Sequence, residues 1–312
     1  MSKVLITGAA GYLGSVLIPE LLDRGHSVVA LDNFFYQQLS LLHLIHRPEL
    51  TVVRGDARDE ALMKKLIAEA DVIIPLACIV GAPACDRDPH AARTINLEAV
   101  ELVLKLRRPE QRVIFPNTNS GYGVGQGSLE CDENTPLKPV SLYGQLKVEA
   151  EQKVLAAGNS ITFRLATVFG VGPRMRLDLL VNDFVHRAVS DRFVVLFEAH
   201  FKRNYIHVRD VARAFIHAID NFDRMKGEPY NVGLSDANLS KWELCEQIAK
   251  QVPSFVFLEA PIGKDPDQRN YIVSNEKIEK TGYKPLVSLQ AGITELIKAY
   301  HTLPGGPFTN VR

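Results

Sequence analysis

Tyr143 and Lys147 stand four residues apart in Tyr143-Gly144-Gln145-Leu146-Lys147, a spacing that puts both on one face of a helix. A lysine ammonium beneath a tyrosine hydroxyl favours the phenolate and draws down a pKa that is ordinarily about 10. A shift of about three units corresponds to about 4 kcal/mol, within reach of a partly buried site. Such a tyrosine can take the proton of an alcohol while a hydride leaves the carbinol carbon. The same spacing also suits a solvated helix pair, so position has to decide. Upstream, an apolar run ends in Phe115-Pro116-Asn117-Thr118, and Thr118 could hydrogen-bond the same substrate hydroxyl and hold it for Tyr143.

That chemistry needs a hydride acceptor, and the N-terminus offers a place for one. Thr7-Gly8-Ala9-Ala10-Gly11-Tyr12-Leu13-Gly14 follows the first apolar run and opens the first helical stretch. Its GxxGxxG spacing is one residue wider at the first gap than the common dinucleotide fingerprint. The physics is unchanged: glycines permit a tight turn, and backbone N–H groups at a helix N-terminus approach a pyrophosphate. Eighteen residues after Gly14, the second apolar run ends at Asp32-Asn33. A carboxylate there accepts from both adenosine ribose hydroxyls and repels a 2′-phosphate, and no arginine follows at once, so NAD is favoured over NADP. Gly55-Asp56, continued by Ala57, supplies an acceptor for the adenine amino group. Leu76 and Ala77 are small enough to leave room on the nicotinamide side.

Elements must position these residues. Strand-like runs fall at 4–7, 27–31, 51–53, 72–76, 113–116 and 161–168, with helical patterns near 12–23, 59–69, 89–106 and 142–157. Continuously apolar runs such as Val4-Leu5-Ile6 suit central parallel strands, and the alternation implies a doubly wound parallel α/β sheet with right-handed crossovers. Beyond Gly170 the pattern turns α+β. A helix is expected at 177–190, an extended run at 193–197, and 205–208 leads into a helix at 210–221. A last strand is expected at 230–232, then helices at 240–251 and 289–301 and a frayed PGGP tail at 304–307. The division expected is a dinucleotide domain over 1–170 plus about 204–235, with a smaller substrate lobe over about 171–203 and 236–312.

The 312 residues are 46% hydrophobic and 23% charged, an ordinary globular composition. Lys+Arg and Asp+Glu both number 36, so there is no long-range field to hold a nucleic acid. Cys78, Cys85, Cys131 and Cys245 form no CxxC pair, which argues against disulfides and structural zinc and for a reduced, cytoplasmic setting. Residues 4–19 are uncharged, but Gly8, Gly11 and Gly14 interrupt them and no cleavage pattern follows, so they read as a strand entering a helix and not as a signal peptide. No other stretch is apolar for the 18 or so residues a membrane span needs. His43 and His46 lack a third metal ligand, and no metal is expected. Cys78 and Cys85 read as packing residues, Asp86 and Asp88 as loop or cap residues, and His207 as a support for the following helix.

The ordered motifs TGAAGYLG (7–14), DN (32–33), GDARD (55–59), TNSGYG (118–123), YGQLK (143–147), RLATVFG (164–170) and RNYIHVRDVARA (203–214) resemble the extended short-chain dehydrogenase/reductases that act on nucleotide sugars. The resemblance covers nearly the whole chain. It implies a seven-stranded Rossmann sheet, an interleaved C-terminal lobe, homodimers joined through two helices of each subunit, and Thr118, Tyr143 and Lys147 as the catalytic triad. The cofactor residues it implies are Gly8, Gly11, Tyr12, Leu13, Gly14, Asp32, Asn33, Asp56, Ala57, Leu76, Ala77 and Asn96, with Tyr143 and Lys147. For the nucleotide sugar it implies Thr118, Ser120, Asn182, Arg203 and Arg269, with Arg174 and Arg176 beside the cleft; arginine suits bidentate phosphate contact.

Sugar 4,6-dehydratases of this family usually place Asp-Glu after the catalytic threonine. Here Asn119-Ser120 follows Thr118, and neither is a suitable acid or base, so dehydration is disfavoured. The stretches IPLACIVGAP (74–83), FPNTNSGYG (115–123) and RMRLDLLVNDF (174–184) look closest to bacterial GDP-heptose 4-dehydrogenases of surface-polysaccharide synthesis. The leading expectation is therefore NAD-dependent oxidation of a nucleotide-sugar hydroxyl, at C4 of a GDP-linked heptose or hexose. A nucleotide-sugar 4-epimerase sharing the keto intermediate is the alternative among enzymes. A non-catalytic NAD(H) sensor is the alternative outside them, and such proteins often lose the tyrosine or the lysine.

Overall fold

The structure, a computed structural model, describes residues 1–124, 130–263 and 270–302. A seven-stranded sheet lies at its centre, in the spatial order Pro229–Val232, Ser160–Leu165, Arg112–Thr118, Val72–Pro75, Lys3–Thr7, Ser27–Asp32, Leu50–Arg54. Every neighbouring pair runs parallel. This is the expected doubly wound α/β sheet. Its strand order reverses at Lys3–Thr7, which pairs with the second strand on one side and the fourth on the other, and ligands bind outside the carboxyl ends of the strands at such a point.

Alternation along each strand builds two cores. Val4, Ile6 and Ile114 face the helices Gly14–Asp23 and Val208–Asp220, together with Leu17, Ile18, Val211 and Phe215. Leu5, Ile73, Val113 and Phe115 face the other way, onto Met63, Val103, Leu146 and Ala150 of the helices Glu60–Ala68, Ala99–Leu106 and Leu142–Ala156. A third core joins Phe169, Val185, Leu196, Tyr205, Leu244, Ile248 and Leu296. It is built from the helices Leu180–Ser190, Lys241–Ala249 and Leu289–Thr302 and from small sheets, among them Phe193–Leu196 paired with Val256–Glu259. The chain leaves the first core near Gly170 and returns to it with Val208–Asp220 and Pro229–Val232.

Three expected elements come out differently. Pro229–Val232 is not the last strand of the chain, since Asn238–Ser240, Val256–Glu259 and Ile272–Val273 follow it in small sheets outside the central one. The run at 161–168 is two strands, because Thr167–Phe169 leaves the central sheet to pair with the end of Lys202–His207. Apolar patterning reports burial, and both sheets bury this run. The helix expected at 89–106 is Pro89–Arg93, a widened turn at Thr94–Glu98, and Ala99–Leu106. The widened turn carries Asn96 inward. Among the described residues no helix is long and apolar enough to cross a membrane, and no group of three or more His, Cys, Asp or Glu is placed to hold a metal.

Candidate active site

The glycine-rich turn shows why each glycine stands where it does. Gly8 adopts φ +66°, and a Cβ there would lie 2.6 Å from the Ala77 nitrogen. One on Gly14 would lie 2.3 Å from the Ala9 carbonyl oxygen. Both are required by close packing inside the protein. Gly8 lets the turn rest on the loop after the fourth strand, where Leu76 N donates to Thr7 O (3.0 Å) and Ala77 N to Thr7 Oγ1 (3.2 Å). Gly11 is different. Its Cβ would meet only the Gly8 carbonyl of the same turn, at 3.0 Å, so among the described residues no packing against another segment requires the glycine, whereas close approach of a pyrophosphate would. Gly14 begins a ten-residue helix whose first-turn N–H groups, those of Ser15, Val16 and Leu17, donate to Gly11 O and Leu13 O, so it is the positive end of the helix dipole that favours an anion there. Leu13 caps that helix through its backbone.

Tyr12 corrects the expectation for its side chain. The ring is buried, and the hydroxyl donates to Gly170 O at 2.6 Å, tying the turn to the stretch where the chain leaves the first core. Only its backbone is left to serve a dinucleotide. Asp32 does more than expected. It is buried at the end of the second strand and accepts from Ala10 N (2.9 Å), Phe34 N (2.7 Å) and Gln38 Nε2 (3.2 Å), so it braces the glycine turn. Burial pushes its carboxyl up, against these three donors. Ser40 closes the brace by donating to Ala10 O at 2.7 Å. Neither Gln38 nor Ser40 was visible to motif reasoning. Asn33 is exposed and accepts from Phe35 N, shaping the loop that follows.

Asp56 is held by Arg58, Nε donating at 2.9 Å and Nη2 at 2.6 Å, which keeps the carboxyl below its usual range. An adenine contact would have to share it with that guanidinium. Ala57 beside it is half-buried. Asn96 grips the loop after the fourth strand from behind: its Oδ1 accepts from Ile79 N (2.8 Å) and its Nδ2 donates to Ile79 O (2.9 Å).

The catalytic candidates are brought together by two glycines. The strand Arg112–Thr118 runs into a tight turn, Asn119–Tyr122, which presses on the helix Leu142–Ala156. A Cβ on Gly144 would lie 2.9 Å from Pro139 Cβ and 3.4 Å from the Ser120 carbonyl; one on Gly121 would lie 3.0 Å from Val148. The glycine between Tyr143 and Lys147 thus allows the approach of the turn that carries Thr118. Thr118 Oγ1 accepts from Ser120 N (3.1 Å) and donates to Ser120 Oγ (2.9 Å), so its hydroxyl is oriented in advance. Ser141 caps the helix by accepting from Gly144 N. Lys147 is 4% exposed, with Nζ 3.9 Å from the centre of the Phe115 ring. Burial pushes its pKa down, opposed by Cys78 and by Glu151 one turn along.

Behind the helix lies a network that sequence reasoning missed. Glu151 is 1% exposed and pairs with Arg164 (Nη2 to Oε1, 2.8 Å), while accepting from Asn117 Nδ2 (2.7 Å) and Thr162 Oγ1 (3.0 Å). Arg164 Nη1 donates to the Tyr122 hydroxyl (3.0 Å), which donates to Asn231 Oδ1 (2.7 Å). The spacing of Glu151 four residues after Lys147 was the available signal.

The substrate-side residues divide. Ser120 is buried beside Thr118. The amide of Asn182 is wholly buried and spent on backbone, accepting from Gly170 N (3.0 Å) and donating to Arg176 O (2.8 Å). It shapes the 170–176 stretch in place of presenting its amide to a diphosphate. Arg203 is buried, donating to Lys202 O with its guanidinium over the Tyr271 ring. Arg176 pairs with Asp178, and Arg174 lies over the ring of Tyr36. Arg269 and the 304–307 tail lie outside the described residues. Burial pushes the Cys78 and Cys85 thiols up, Cys85 to about 12, so neither is poised as a nucleophile.

Sheet order and glycine turn define an α/β fold built to take a dinucleotide, with Thr118, Tyr143 and Lys147 as its candidate catalytic set. Residues 4–233 match the model of the NAD dependent epimerase/dehydratase family, and the chain belongs to that family. NAD is accordingly its cofactor, and the open face of Gly11, the helix N-terminus and Asp32 are suited to hold it. The chain is 29% identical, over 97% of its length and 99% of the relative's, to a Bacillus subtilis (strain 168) protein named as an uncharacterized UDP-glucose epimerase. It is 26% identical to UDP-glucuronic acid decarboxylase 1 of Arabidopsis thaliana, over 96% of this chain and 69% of that one. Its fold matches the UDP-glucose 4-epimerase of Thermotoga maritima solved with UDP-glucose, at a TM-score of 0.82 and 21% identity over 96% of this chain and 98% of that one.

Proposed function

We propose that this protein oxidises the C4 hydroxyl of a nucleotide-linked sugar to a ketone. The observation that carries the reading is the docking of the Thr118 turn onto the Tyr143–Lys147 helix at the mouth of the strand-order reversal. Bound NAD supplies the hydride acceptor. Thr118, oriented by Ser120, holds the hydroxyl; Tyr143 takes its proton; Lys147 keeps the phenolate accessible near neutral pH. Asn119 and Ser120 supply no acid–base pair for loss of water, so the ketone is either released or returned with C4 inverted.

For the substrate we propose a GDP-linked heptose or hexose, on the sequence resemblance, with Arg203 and Arg269 toward its diphosphate and Asn182 acting through the stretch it shapes. The protein would work as a cytoplasmic homodimer in surface-polysaccharide synthesis. The named relatives favour a second reading, a UDP-sugar 4-epimerase. Incubation of the protein with NAD and a panel of GDP- and UDP-sugars, followed by mass spectrometry and NMR, separates them. Loss of two hydrogens marks net oxidation, an unchanged mass with inverted C4 marks epimerisation, and an unaltered panel overturns both. Sedimentation tests the dimer.

A further inference from the structure

We propose that Tyr36 and Arg174 form a clasp across the dinucleotide groove and govern how fast the cofactor leaves. Tyr36 lies on the loop after Ser27–Asp32, and Arg174 on the stretch after Thr167–Phe169, which belongs to the other side of the cleft. The Arg174 guanidinium carbon is 4.9 Å from the centre of the half-buried Tyr36 ring, inside the range of cation–π attraction. Both arms are anchored on the glycine turn itself. Asp32 accepts from Phe34 N and Gln38 Nε2 in the first arm, and Ser40 donates to Ala10 O. In the second arm Gly170 O accepts from the Tyr12 hydroxyl, a Cβ on Gly172 would lie 3.3 Å from the Tyr12 ring, and Asn182 holds Arg176 O.

The turn therefore lies between the two anchor points, with the clasp joining them. Tyr36 follows the second strand and Arg174 follows Gly172, which packs on the Tyr12 ring, so the contact joins the two loops anchored on the glycine turn. A dinucleotide stretched from Asp32 past Gly11 to Ala77 passes beneath this contact, and exchange requires it to part. Slow exchange keeps the reduced cofactor with its ketone and favours re-reduction; fast exchange favours net oxidation. The clasp rests on NAD binding alone, and the sugar enters only in this consequence.

The test uses the full chain loaded with NADH and no sugar, and follows release by stopped-flow fluorescence after mixing with excess NAD. Failure of the sugar assignment therefore cannot affect it. Tyr36→Leu and Arg174→Met each release NADH about three- to tenfold faster, the double variant no faster than the quicker single, and Tyr36→Phe, which keeps the ring face, at the parent rate. Unchanged or slower release in the singles, a double variant that multiplies their effects, or a Tyr36→Phe as fast as Tyr36→Leu overturns the clasp. Should Tyr36→Leu not fold, Arg174→Met against Tyr36→Phe carries the same decision.

Discussion

The helix Leu142–Ala156 has two differently furnished regions. Toward the cleft it carries Tyr143 and Lys147, and Lys147 is a buried cation whose neighbour is an aromatic face. Asn119, in the turn packed against this helix, is buried, and among the described residues neither of its amide atoms has a partner. One turn further along, Glu151 meets a guanidinium, an amide and a hydroxyl, and among the described residues Asn117 Oδ1 is the atom of this network left without a partner. Two buried cations, Lys147 and Arg164, thus sit in opposite circumstances. A buried cation whose neighbouring carboxylate, Glu151, is already bonded to Arg164 opposes folding, whereas a bonded buried pair is neutral until one member is removed. The difference separates the residues held for chemistry from those that hold the scaffold.

Substitutions on the cleft side should break activity and spare stability. Tyr143→Phe is expected to lower single-turnover NAD reduction about 10³-fold with an unchanged melting temperature. Lys147→Met should lower it about 10²- to 10³-fold while raising the melting temperature, because a buried charge is removed; a fall in melting temperature would place Lys147 among the scaffold residues. The network side should show the reverse order. Glu151→Leu or Arg164→Met alone should cost about 3–5 kcal/mol in denaturant melts, and the double substitution should recover most of it. A double variant as unstable as the singles would show that the hydrogen bonds, and not the unpaired charge, dominate.

Smaller effects sharpen the contrast at a distance. Asn96→Ala removes both bonds to Ile79 and should weaken NAD binding about tenfold by calorimetry, with little change in single-turnover rate at saturating NAD. On the helix Leu289–Thr302 Glu295 is held down at about 2: burial opposes this, but His207 and Arg209 prevail. A carboxyl with a depressed folded pKa contributes stability that is complete above its ordinary pKa near 4.5 and is lost as pH falls toward 2. Glu295→Gln should therefore flatten the acid limb of the stability curve between those values, by about 1–2 kcal/mol after solvent screening.

Much of this was readable in the chain. The central strands, the glycine turn, Asp32 and the YxxxK helix are local signals: apolar runs, a backbone requirement for glycine, and a spacing that fixes a helix face. What escaped has a common cause. The Tyr12 hydroxyl bonds Gly170, 158 residues away, and no local pattern distinguishes a tyrosine facing a ligand from one bracing a loop. Asn182 escaped for the same reason, since its amide could not be known to be consumed by Gly170 and Arg176 until the 170–176 stretch had a shape. The split of the run at 161–168 escaped because both of its sheets bury it equally.

By itself, then, the sequence determined a parallel sheet, a glycine-rich turn with an aspartate at the end of the next strand, and a tyrosine and lysine on one helical face, because each follows from backbone geometry and short-range periodicity. Tertiary structure alone decided which buried charges are paired, that two glycines bring Thr118 onto the Tyr143 helix, and that loops from opposite sides of the cleft meet at Tyr36 and Arg174. Those depend on contacts between residues far apart in the chain, whose energies are set only once the sheet has brought them within a few ångströms.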